Sequence, residues 1–244
     1  MRFNPLFIVL FIAFLVNTAN ARDYAIEVII FVNEDGVRQN AEIFDPEKIL
    51  VAPSEGISFF GQDIDQIEIE TEENPWRLLP QEDYILNEQV RKLDNSRQYR
   101  VLKHFAWRQP VVDRDSAKPI LIKTGFDFSG LYPERTFQQI EFSDTEPYPE
   151  DESIDGVWEL EGTLNVVITR YLHIYSDLVY RMERSNPLYT NDALQPEQVL
   201  VDYEVNSHRR MRSGELHYID HPIVGILVEA TPIEEEEENL SESN

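Results

Sequence analysis

The apolar residues of this chain fall into short blocks separated by acidic and proline-bearing stretches, a rhythm that predicts strands joined by surface loops. The block Tyr24–Asn33 (YAIEVIIFVN) is rich in β-branched and aromatic side chains and predicts a buried strand, ended by a turn at 34–36. Residues 37–80 combine prolines, Gly56, Gly61 and an acidic run at 63–73, and predict a long surface excursion with a short edge strand. In 84–93, Tyr84, Leu86, Val90 and Leu93 recur near helical spacing, so a helix is expected there. A strand over 99–112, closed by Pro110, a short strand at 120–123 and a turn at 126–130 follow.

The second half repeats the alternation more strongly. Residues 157–169 and 171–182 predict two strands. Leu164, Val166 and Ile168 share one face of the first, and Tyr171, His173 and Tyr175 share one face of the second. Further strands are expected at 199–206 and 223–230, with loops at 142–156 and 186–196. Strands outnumber helices, and most connections are too short for a crossover helix. The expected class is therefore α+β, strand-rich, with largely antiparallel sheets and few helices.

The ends read differently. Residues 1–21 place Arg2 before an apolar stretch from Pro5 to Val16 and finish Ala19-Asn20-Ala21. That is the layout of a cleavable signal peptide, with the cut expected after Ala21 and no membrane insertion afterwards. The mature α+β domain would cover 22–233, with a division near 140–156. Residues 234–244 are acidic, lack aromatics and predict a disordered tail. Export without a single cysteine suits the bacterial periplasm, where a large core replaces disulfides.

Charge removes several functions. There are 46 Asp+Glu against 21 Lys+Arg, a formal net charge of −25. Nucleic-acid binding needs a basic surface, so it is excluded as a general role. The missing thiols exclude thiolate zinc sites, iron–sulfur clusters and cysteine nucleophiles. No phosphate-binding or dinucleotide glycine pattern is present, and no cofactor is expected.

Against this acidity one segment stands out: 207–222, SHRRMRSGELHYIDHP. Arg209, Arg210 and Arg212 offer planar forks that pair bidentately with carboxylate or phosphate. Glu215, His217 and His221 lie beside them. Two readings stay open, since the arginines either contact a ligand or pair with the chain's own acids. Trp76, following Pro75 in a loop, is the tryptophan expected to be exposed for stacking, whereas Trp107 and Trp158 occupy strand positions and should pack in the core. His104 and His173, alone in apolar strands, should be hydrogen-bonded core or interface residues.

His217-x-x-x-His221 raises a zinc question, and with it a zinc-dependent hydrolase acting on murein or polysaccharide as the alternative function. Two facts oppose it. Tyr218 stands where the metalloprotease helix carries its general base, and Pro222 argues against a helix through His221. No metal ligand and no catalytic residue is assigned.

The segments YAIEVIIFVN, YRVLKHFAWRQPV, GTLNVVITRYLHIYSDLVYR and HRRMRSGELHYIDHPIVGILVEA, after a cleavable leader, resemble the CsiV family of periplasmic peptidoglycan-binding proteins. The resemblance spans the mature chain from Tyr24 to about Ala230. It implies a non-enzymatic adaptor that supports cell-wall synthesis and cell-shape integrity. It further implies two partners, peptidoglycan and the lipoprotein activator of a bifunctional penicillin-binding protein. It supplies no site residues; the Arg/His segment is assigned to binding from its charge.

Overall fold

A computed structural model describes residues 23–38, 48–59, 75–137, 156–168, 171–186 and 197–233; the leader, the tail and most of the loops expected at 142–156 and 186–196 lie outside them. The described residues form two five-stranded sheets, antiparallel except for one short pair. β1 (Tyr24–Asn33) leads into a short helix, α1 (Glu34–Arg38), where the sequence predicts a turn. The 37–80 excursion contributes two edge strands of two residues each, β2 (Ile57–Ser58) and β3 (Arg77–Leu78). Then come α2 (Asn87–Asp94), β4 (Tyr99–Gln109), β5 (Ile120–Asp127) and α3 (Pro133–Phe137). β6 (Trp158–Ile168), β7 (Leu172–Ser185), β8 (Gln198–Met211), β9 (His217–Ile219) and β10 (Val224–Pro232) complete the fold.

The first sheet has the order β3-β4-β1-β10-β9 and the second β2-β5-β6-β7-β8. One core lies between them. Ile26, Val28, Ile30 and Val32 point into it from β1, and Leu160, Leu164, Val166 and Ile168 from β6, on alternate positions as strand geometry requires, with Gly162 at the one skipped position of β6. The alternate face of β1 is apolar as well, which explains why this strand reads as a continuous hydrophobic run: Ile29 and Phe31 pack under Leu86 and Leu93 of the α2 region. Glu27, the one acid in that strand, accepts the backbone amides of Ile85 (2.7 Å) and Leu86 (2.9 Å) and meets His104 Nε2 at 2.7 Å. A carboxylate far away in the chain thus caps the entry to α2. His104 is the satisfied interior histidine that its position in an apolar strand predicts.

β5 runs on through Phe126 and Asp127, where a turn is expected. Its register shifts between Thr124 and Asp127, and Gly125 takes φ 85° within the shift. The bulge re-aims the strand without ending it, so the turn proper begins only at Ser129. β8 likewise continues well past Asn206 into the Arg-rich segment, because polar residues are tolerated on the solvent face of an edge strand. On the outer side of the second sheet, Arg135 of α3 grips Asp202 of β8 at 2.6 Å, and Arg181 of β7 meets Glu161 of β6 at 2.8 Å. No helix among the described residues is long and apolar enough to cross a membrane.

Candidate functional site

The segment 207–222 divides between two elements. Its first residues finish β8, its later ones form β9, and the two strands belong to different sheets. Arg209 and Arg210 are consecutive in a strand and so face opposite ways. Arg210 and His208 lie on the outer face, directly across from His173 and Tyr175 of β7.

These side chains form a connected strip. His173 Nδ1 is 2.9 Å from His208 Nε2, with ring centroids 5.2 Å apart and planes only 21° from parallel, so the two imidazoles meet edge to edge. Tyr175 lies flat on His208, with centroids 4.3 Å apart and a 4° interplanar angle. The Arg210 guanidinium sits 4.8 Å over the Tyr171 ring. Arg114, from the connection between β4 and β5, sits 5.2 Å over Tyr175. Arginine on an aromatic face is held by cation–π attraction without losing its in-plane N–H donors. Burial, then the nearby His208 and Arg210, hold His173 below the usual histidine pKa, so the His173 ring is uncharged at neutral pH.

The pairing of these arginines is informative. Several other arginines find acids, Arg100 with Glu159 and Arg108 with Asp23, both at 2.6 Å, while Arg184 reaches the Tyr203 hydroxyl and the Val37 carbonyl. Among the described residues, Arg114, Arg209 and Arg210 have no carboxylate partner. Arg212 alone of the three arginines in the segment has one, Glu215, at 3.5 Å on a well-exposed turn. Internal ion pairing therefore does not account for the cationic cluster.

Beside Tyr171 lies a hollow of about 240 Å³. Tyr24, Ile168, Leu172 and Met211 supply its apolar wall, and Arg212 and Ser213 its polar rim.

Other residues expected at a site are placed elsewhere. Trp76 is 7% exposed and packs in the central core with the Lys118 ammonium 5.1 Å over its ring, so it is not the exposed stacking platform its loop position suggests. The flanking β3 pairs with β4 and carries Trp76 inward. Trp107 is fully buried and donates to Gln109, which reaches Val166 of the other sheet, whereas Trp158 is half-buried. His217 accepts the Arg212 amide at 3.0 Å, and His221 Nδ1 accepts the amides of Ile223 and Val224 at 3.3 Å. Each histidine thus commits one ring nitrogen to the backbone. Among the described residues no three His, Cys, Asp or Glu side chains stand close enough together to hold an ion. His173 is half-exposed on the outer face, not in the core.

Sequence reasoning finds Arg210 and the shared face of Tyr171, His173 and Tyr175, but not their meeting. His208 is visible only as part of the segment, and Arg114 carries no local signal at all.

The family model described as peptidoglycan-binding protein CsiV matches residues 5–233, nearly the whole chain. The chain belongs to the CsiV family. Its expected fold class, a strand-rich α+β chain with mostly antiparallel sheets and few helices, is the one observed. The CsiV description is that of a binding protein and names no reaction. No curated protein and no solved structure matches the chain.

Proposed function

We propose that this chain is exported through residues 1–21 and acts in the periplasm as a non-catalytic, murein-binding adaptor that supports cell-wall synthesis and cell shape. The outer face of β7–β8, with Arg209 at the end of β8 and the adjoining Arg212–Glu215 turn, is the murein contact. A single observation carries this assignment: two guanidiniums without carboxylate partners among the described residues, Arg114 and Arg210, laid on neighbouring tyrosine rings of one sheet face, in a chain of net charge −25. An acidic protein is repelled at long range by carboxylate-bearing murein, so its attachment must come from a local cationic site working within a Debye length of about 8 Å. The family description supplies the ligand class. The lipoprotein activator of a bifunctional penicillin-binding protein, implied by the resemblance, is the proposed protein partner, engaged while murein is held.

Sedimentation of the purified chain with isolated sacculi tests this reading. The wild type is expected in the pellet, and an Arg209/Arg210/Arg212→Ala variant largely in the supernatant. Equal sedimentation of both, with the fold intact, removes the site. Sacculi stripped of protein separate direct murein binding from attachment through a protein. N-terminal sequencing of exported material should begin at Arg22.

A further inference from the structure

Murein offers two chemistries, a neutral-to-polar sugar backbone and peptide stems that end in carboxylates. Sugar recognition by aromatics needs open ring faces. Here Arg210 lies over Tyr171, and both His208 and Arg114 lie over Tyr175, so the faces a sugar would stack on carry cations or an imidazole. What remains accessible is the edge of each guanidinium, which forks onto a carboxylate. The hollow beside Tyr171, about 240 Å³, falls below the roughly 300–1,000 Å³ of pockets that enclose a whole drug-sized ligand. It suits one or two small apolar side chains better than a disaccharide. Its rim is cationic through Arg212, with Arg210 on the neighbouring ring.

Resting on the reading of this region as the murein contact, we infer that it grips the peptide stems: their carboxylates on Arg210 and Arg114 of the outer face, and a small apolar side chain in the hollow round the strand end beside Tyr171, whose wall residues Leu172 and Met211 belong to the core-facing side. Next along the outer face come Asp177 on β7, paired with Asn206, and then Glu204 on β8, both acids exposed. They close the strip to anions on that side and leave the Arg210 end as the way in. Asp113, beside Arg114 in the chain, is turned back onto the Ser116 amide at 3.0 Å and does not neutralise it.

The purified chain is tested by sedimentation with intact sacculi, and by calorimetry with glycan strands freed of peptide by an amidase and with free stem peptides. Binding to sacculi and stem peptides, with none to bare glycan, is expected. An Arg114→Ala/Arg210→Ala variant should lose roughly tenfold or more in stem-peptide affinity. Arg210→Lys, which keeps the charge but not the fork, should fall between the two. Peptides with amidated carboxylates should not bind. Equal binding to bare glycan, or peptide affinity unchanged in the double variant, overturns this inference while leaving murein binding in place. Failure to sediment with intact sacculi overturns both.

Discussion

Nδ1 of His173 lies 2.9 Å from Nε2 of His208, across the register of β7 and β8. One ring donates and the other accepts, so the contact survives with one added proton but not with two. His173 is held below the ordinary histidine pKa, first by burial and then by His208 and Arg210. Removing His208 or Arg210 should therefore raise it. Nitrogen-detected NMR titration of the wild type, His208→Asn and Arg210→Ala should show the His173 midpoint rising in both variants. A midpoint that stays put in both would mean the pair is not coupled as the geometry requires.

Glu27 and Glu229 stand directly opposite one another on β1 and β10. Burial, then the charge of Glu27, push the Glu229 carboxyl above its ordinary 4.5. A carboxyl with a raised folded pKa binds its proton more tightly in the native state. The native state is therefore favoured at low pH and loses stability as pH rises from 4.5 through the folded value. Glu229→Gln removes that loss. Its melting temperature should exceed the wild type's at pH 7 and match it near pH 4; a gain of equal size at both would point to packing rather than charge.

Asp202 is a junction of buried charge. It meets Arg135 at 2.6 Å and Arg181 at 3.4 Å, and it accepts the Leu50 amide at 2.7 Å. Removing one member of a buried pair leaves an uncompensated charge, a loss of about 3–5 kcal/mol. Asp202→Asn keeps the volume but not the charge and should lose stability on that scale in urea unfolding. Lys48→Ala, which removes only an exposed 4.0 Å contact with Glu204, should change it little.

Gly162 takes φ 131° in mid-β6, and a Cβ there would stand 2.2 Å from the Asp177 carbonyl oxygen. Alanine is expected to force β6 and β7 apart as well as strain the backbone, costing about 2 kcal/mol or more. Since Asp177 lies next along the outer face from Tyr175, Gly162→Ala should also weaken sacculus binding. A thermal melt and a sedimentation assay on the same preparation read both effects.

How much of this was legible beforehand depends on the range of the interaction. Strand alternation is local, so Tyr24–Asn33 and β6 were readable almost to the residue, as was the common face of Tyr171, His173 and Tyr175, whereas β8 runs five residues past its expected end and the three-residue β9 carried no period. The fate of Trp76 was not. A tryptophan after proline in a loop looks exposed until the pairing of Arg77 and Leu78 with β4 draws it inward. The 37–80 excursion offered little period to read, because the strands among its described residues are only two residues long.

By itself, the sequence determined the strand-rich class, the acidic surface, the absence of thiol chemistry and the one stretch where base outweighs acid. These are properties of composition and of nearest neighbours along the chain. Only the tertiary structure decided which cations stay unpaired. Arg108 and Arg210 look alike in sequence, yet one meets Asp23 and the other lies on a tyrosine. Arg114 reaches the strip from a loop far from β8 in the chain, and His173 meets His208 only because β7 and β8 pair in one register. Ion pairing and ring stacking act over a few ångströms in space, and the distance between two residues along the chain does not disclose that separation.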